Sequence, residues 1–205
     1  MNFKKNSILT AAVLLAVAVL CIGWADTFEG IRSAAGRVQS LQSDFVQTKE
    51  MTILARPLVA KGRIYFRKPG SLRWEYHSPV ESVLLMHNGS SHRYIRNPEG
   101  EFEPDPGNLQ AMDFVMQEIS QWMDGRFDTN GAFNAELGPD GRIVLTPAGE
   151  ALTAFIQRIE LAMADQPGIL KEVVIVESDR SLTRLTFLDP RLNLPLDDTV
   201  FQKVQ

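Results

Sequence analysis

The chain has 205 residues, 44% hydrophobic and 22% charged, with 14 Gly, 11 Pro, a single Cys and a net charge of −4. That composition is ordinary for a globular domain and excludes collagen-like, low-complexity and disordered classes. One Cys cannot form an internal disulfide, three His leave little material for a structural zinc site, and an acidic balance argues against nucleic acid as a partner.

The N-terminus has the layout of a secretory signal peptide. Lys4 and Lys5 precede an uncharged apolar run from Ile8 to Ile22, too short for a comfortable membrane span. Gly23-Trp24-Ala25 then supplies small residues at the two positions a signal peptidase inspects, so residues 1–25 are predicted to be removed by a cut after Ala25. The alternative is an uncleaved anchor. Removing 1–25 takes two cations and no acid, moving the net charge from −4 to −6. Cys21 lies within the apolar run. A lipoprotein signal would be cut just before it, but Leu20 occupies the position where that processing favours Ala, Gly or Ser. Residues 26–205 are then one exported domain.

The domain opens with a helical face of Phe28, Ile31, Ala35, Val38 and Leu41, with Asp26 and Glu29 spaced as a capping box. From Ser43 onward the period is two. Strands are predicted at 44–51, through Ile64 and Phe66, at 72–77, 81–87 and 91–96, with Asn88-Gly89 as a tight hairpin turn. The stretch Glu99, Glu101, Glu103, Asp105, broken by three prolines, reads as a solvated loop. A helix over 108–124 carries the stripe Leu109, Met112, Met116, Ile119, Met123, widened by Phe114, Val115 and Trp122. Two readings of it stand: an ordinary core helix, or an adaptable Met-rich surface for variable apolar partners. Strands follow at 132–137, 142–146, 155–163, 169–177 and 182–188, with a last one near 199–204. About eleven short strands with short connections must pair antiparallel, giving a strongly curved sheet closed or partly closed like a barrel.

Motifs for hydrolytic, phosphate-binding, zinc-peptidase or dinucleotide chemistry are lacking, so no catalytic residue is assigned and no cofactor is expected. His87 and His92 flank the hairpin turn without a carboxylate to complete a metal set. The cations Lys61, Arg63, Arg67, Lys68 and Arg73 follow one another with no acid between. They are either the polar face of two neighbouring strands or a docking patch for an acidic partner or anionic lipid headgroup.

Several segments together resemble the LolA-type periplasmic lipoprotein carrier family. They are Phe45-x-Gln47, Gly62-x-x-x-Phe66, Lys68-Pro69-Gly70-Ser71-Leu72-Arg73-Trp74-Glu75-Tyr76, Ser78-Pro79, Asn88-Gly89, Tyr94-x-x-Asn97-Pro98 and Val144-Leu145-Thr146-Pro147. The resemblance implies an α+β, mainly β fold: an incompletely closed antiparallel β-barrel of about eleven strands whose helices lid an apolar cavity. It implies a monomeric periplasmic carrier that shields lipoprotein acyl chains, or another lipid. Such carriers receive cargo from an inner-membrane ABC transporter and deliver it to an outer-membrane acceptor. Combined with strand alternation, the expected cavity lining is Ile64, Phe66, Leu72, Trp74, Tyr76, Leu85, Met112, Met116, Ile119 and Met123. Where carriers of this family have a lid-latching Arg, this chain has Lys68, with Arg67 beside it as a latch or docking residue on the opposite face. Two further readings keep the fold: an envelope regulator that senses lipoproteins, and an outer-membrane acceptor acylated on Cys21.

Overall fold

The computed structural model describes residues 27–204 apart from 106, 108, 128–130, 167 and 179. The expected signal peptide, its cleavage site, Cys21 and Asp26 lie outside these. The first element is helix α1, Phe28–Gly36, and its cap is Thr27, whose Oγ1 accepts from the Gly30 N–H at 3.0 Å. The helix is shorter than its apolar stripe suggests. Val38 and Leu41 are buried beside it, but Leu41 already belongs to strand β1, Ser40–Met51.

From β1 the chain meanders outward through β2 (Leu58–Arg67), β3 (Ser71–Ser78), β4 (Ser82–His87), β5 (Ser90–Arg96) and β6 (Phe102–Pro104). Asn88 and Gly89 both have positive φ, 51° and 75°, as a two-residue hairpin of this kind requires. Helix α2, Leu109–Met123, follows. Then β7 (Phe133–Leu137), β8 (Ile143–Pro147), the short helix α3 (Glu150–Thr153), β9 (Arg158–Met163), β10 (Leu170–Ser178) and β11 (Ser181–Leu192) meander back. The result is one antiparallel sheet of eleven strands in the order β6-β5-β4-β3-β2-β1-β11-β10-β9-β8-β7. Because β1 pairs with both β2 and β11, the first and last strands sit at the centre, and β6 and β7 are edges that do not meet. The sheet is an open curved barrel, as expected. The segment joining its two edges contains α2, so the topology itself carries this helix across the sheet.

The short helix α3 is not predicted from the sequence and β9 starts at Arg158, not 155; two further elements change type. The acidic stretch has the composition of a loop, yet Phe102–Pro104 forms the β6 edge, pairing Phe102 with Arg96 and Pro104 with Tyr94. Its Glu and Pro fit an edge strand, where charge and a missing donor block further pairing. The strand expected near 199–204 is instead helix α4, Thr199–Gln202. Both neighbours of β1 are already taken, so the C-terminal segment has no adjacent edge to join. It lies over the outer face, where Arg73 Nη1 donates to the carbonyls of Val200 and Lys203 and Phe201 is buried.

Candidate functional site

Along β2 and β3 the alternation places Ile64, Phe66, Leu72 and Trp74 on the inner face, all 4% exposed or less. They are cross-strand partners: Ile64 opposite Trp74, Phe66 opposite Leu72, and Gly62 opposite Tyr76. Gly62 is there because nothing larger fits. A Cβ on it would lie 1.8 Å from the Glu75 carbonyl oxygen and 2.6 Å from the Phe45 ring. That ring is the hub of an aromatic cluster, with centroids 4.6 Å from Trp74 and 5.3 Å from Tyr76 in an edge-to-face arrangement, while Trp74 meets Phe187 of β11 at 6.3 Å. The apolar face continues without interruption through Leu185, Val173, Leu161 and Ile143 on successive strands.

Helix α2 covers this face. Met116, Ile119, Trp122 and Met123 are buried in the same core as the strand residues. Met112 lies on the helix, but its side chain falls outside the described set. The lid and sheet interdigitate closely. A gap lined by Val38, Leu41, Phe66, Met123, Ile169 and Phe187 has a volume of about 10 Å³, no more than one water occupies.

Of the predicted lining residues, Leu85 is not with the others. It pairs with Arg73 and His92 on the outer face, where Phe201 of α4 covers it. Leu84, opposite Trp74, and Met86, opposite Leu72, hold the inner positions on β4. The run Val83-Leu84-Leu85-Met86 is apolar on both faces, so alternation alone has no register there. Phe45, Phe187 and Trp122 are further inner-face residues outside the predicted lining. Phe45 is visible in the sequence as a motif position, but only sheet pairing brings Phe187 beside Trp74.

The inner face becomes polar toward the β1–β2 hairpin. Tyr76 Oη donates to Gln47 Oε1 at 2.8 Å, and burial raises the Tyr76 hydroxyl's pKa. Two residues further along β1, Lys49 Nζ bonds both Glu177 oxygens at 3.1 and 2.9 Å, and Ser181 and Thr183 donate to the same carboxylate. Burial alone would raise the Glu177 pKa, but these hydrogen bonds outweigh it and hold it below the usual glutamate range.

The consecutive cations point to opposite faces. Arg67 donates to the Leu196 carbonyl, pairs with Asp198 and stacks over Phe201 at 5.0 Å, securing the C-terminal segment outside. Lys68 Nζ donates to the Ala35 carbonyl at 2.9 Å and lies 3.2 Å from Asp124 Oδ1. It thereby joins the last turn of α1 to the residue that follows α2. Arg63 pairs with Asp44, whose pKa this hydrogen bond lowers, and Arg73 pairs with Glu75. Lys61 has no ion-pair partner among the described residues. His87 is opposite Ser90 and His92 opposite Leu85, so the two do not face one another; no group of three or more His, Cys, Asp or Glu able to hold a metal occurs among the described residues. No helix among them is long and apolar enough to cross a membrane.

Comparison with known proteins agrees with the motif resemblance. Residues 36–101 match the family described as outer membrane lipoprotein carrier protein LolA, and this segment contains Phe45 through Asn97-Pro98. An outer-membrane lipoprotein carrier protein of Pseudoalteromonas translucida (strain TAC 125) is 20% identical, over 97% of this chain and 91% of the relative. Among solved structures, a LolA superfamily protein from Nitrosomonas europaea aligns with a TM-score of 0.43 and 13% identity, over 87% of this chain and 99% of the other. An uncharacterized conserved protein from Thermus thermophilus aligns at 0.48 and 11%, over 86% and 93%.

Proposed function

We propose that this divergent LolA-type chain is a non-catalytic periplasmic carrier whose inner sheet face, once α2 moves aside, takes the acyl chains of lipoproteins. The observation behind this reading is one continuous apolar sheet face covered by a single Met-bearing helix, strung between two unpaired sheet edges. Keeping an acyl chain from water is worth roughly 0.8 kcal/mol per methylene, so a sixteen-carbon chain needs about 12 kcal/mol of apolar contact to cross an aqueous space. Replacing the side chains of Met116, Ile119 and Met123 by such a chain exchanges one apolar contact for another. The exchange therefore runs near balance and is reversible. Trp122 adds a polar handle, because its buried indole N–H has no acceptor among the described residues in the closed arrangement and an ester carbonyl would satisfy it. Cargo would come from an inner-membrane ABC transporter and leave to an outer-membrane acceptor, the protein having reached the periplasm through cleavage after Ala25.

The test is photo-cross-linking with a diacylated lipopeptide. A benzophenone amino acid replaces Met116 on the inner side of the lid or Arg158 on the outer face. Cross-linking at 116 and not at 158 is the expected result. Cross-linking at 158 alone, or at neither position with both variants folded, would overturn the reading. Trp74→Glu is expected to abolish lipopeptide capture, with circular dichroism reporting that the sheet persists.

A further inference from the structure

Large apolar side chains left in solvent gather at one end of the sheet. Ile53 is 84% exposed, Leu58 56% and Val59 48%, all on or beside the β1–β2 hairpin, and Leu54 is 38% exposed at its tip. Strand register puts two others at this end. Val80 follows Ser78, which pairs with Lys61, and Phe155 (73% exposed) precedes Arg158, which pairs with Val176. The opposite end is capped by α1, where a Cβ on Gly168 would lie 2.3 Å from the Ala35 nitrogen; toward it Leu188 and Leu194 are 41% and 37% exposed, and none of the described large apolar residues there is as open as Ile53 or Leu58. Adjacent aliphatic residues on a hairpin tip are costly to leave in water and contribute nothing to the core, so something apolar is expected to cover them.

Charge selects the occupant. The protein is acidic overall, yet from Met51 to Trp74 it has six cations and no acid. Four of these, Arg63, Arg67, Lys68 and Arg73, are used inside the fold as ion-pair partners. Arg56 and Lys61 are exposed and have no partner among the described residues. They flank the aliphatic tip. At the same end Glu81 and Glu177 are bound to Arg96 and Lys49; Glu50, at the base of the hairpin, is exposed and is the acid that opposes these cations, with the exposed Arg180 beside it adding a positive charge. Aliphatic residues protruding beside two unpaired cations match the boundary of an anionic bilayer, where headgroups meet acyl chains. A protein partner would find the same apolar tip, but two free cations framing it in an otherwise acidic molecule favour the lipid surface.

We infer that the β1–β2 hairpin tip inserts Ile53 and Leu54 into an anionic membrane surface, with Arg56 and Lys61 on the headgroups, bringing the polar end of the inner sheet face to the bilayer. This does not depend on acyl-chain uptake, and Trp74→Glu, which should abolish uptake, is expected to bind membranes normally. The experiment is co-sedimentation of the full chain with phosphatidylcholine vesicles, with or without one quarter phosphatidylglycerol. Any contribution from residues 1–25 is common to all variants. Wild type should prefer the anionic vesicles at least tenfold. Ile53→Asp/Leu54→Asp should reduce that binding more than tenfold, and Arg56→Gln/Lys61→Gln roughly thirtyfold at low salt. Both of these double variants change exposed positions, so unchanged melting curves would identify a surface effect. Equal binding to both vesicle types, or an aspartate variant that binds like wild type, would refute the inference. So would a wild-type dimer that the aspartate variant converts to monomer, since a second copy would then be the occupant.

Discussion

The proposed opening of α2 predicts a role for Lys68, which bridges α1 and the residue after α2. Its ammonium is shared between the Ala35 carbonyl at the C-terminal end of α1, where the helix dipole favours a cation, and Asp124 immediately after α2. Both side chains are less than one-fifth exposed, 18% and 17%, which places the pair between a surface bridge, worth up to about 1 kcal/mol, and a fully buried one. Asp124 retains Arg126 at 2.9 Å if Lys68 is lost, so it would not be left as an uncompensated buried charge. Lys68→Met keeps the alkyl stem and removes both polar contacts. The expected cost is about 1.5–2 kcal/mol, equivalent to a ten- to thirtyfold rise in the open population. Hydrogen exchange followed by mass spectrometry reads this directly. Peptides covering 114–122 should exchange ten- to thirtyfold faster, with β1 and β11 at the sheet centre unchanged. Asp124→Asn should act in the same direction, and the double variant should fall short of the sum by about 1 kcal/mol. An unchanged helix, or a rise shared equally by the central strands, would show that Lys68 contributes to global stability and is not a latch.

Gly62→Ala forces a Cβ to within 1.8 Å of a backbone oxygen, a clash no rotamer can relieve. A loss of about 3 kcal/mol or more is expected, seen as a fall in Tm of roughly 6–12 °C; Gly149→Ala, where a Cβ meets nothing within 4 Å, is the control and should melt like wild type. Glu172 and Glu177 both have pKa values held below the ordinary glutamate range. Burial opposes this, but hydrogen bonds from Arg184 and Arg142, and from Lys49, Ser181 and Thr183, outweigh it. Their stabilising contribution is thus complete above the unfolded-state pKa near 4.3 and is lost as pH falls through the lower folded-state values. The Tm should decline below about pH 4, and Glu177→Gln should lower it at pH 7 while making the acid decline shallower; an equally steep decline in that variant would assign the acid sensitivity elsewhere.

Local chemistry in the sequence was sufficient for the elements that depend on near neighbours. Alternation gave the inner residues of β2 and β3, Asn88-Gly89 gave its hairpin, and the Met stripe gave α2, because period and turn conformation are set by residues a few positions apart. Arg67 and Lys68 also separate, Arg67 as the last residue of β2 on the outer face and Lys68 in the turn that follows, where its side chain reaches α1 and Asp124. Local chemistry was insufficient where the deciding partner is distant in the chain. Leu85 was indistinguishable from Leu84 and Met86 until Arg73 and Phe201 fixed which face each occupies. The C-terminal residues look like a strand, but the only strands nearby have both edges filled, so they form a short helix held by Arg67 and Arg73. Phe102–Pro104 looks like a loop and becomes a strand because β5 offers an unpaired edge. Sequence therefore determined the mainly β class, the helix that spans the sheet and the motifs of the carrier family. Which side chains share the inner face, what Lys68 holds together and where the exposed aliphatic residues collect were decided only by pairing between segments up to about 150 residues apart, since a sheet's faces and edges belong to the assembled strands and to no single one of them.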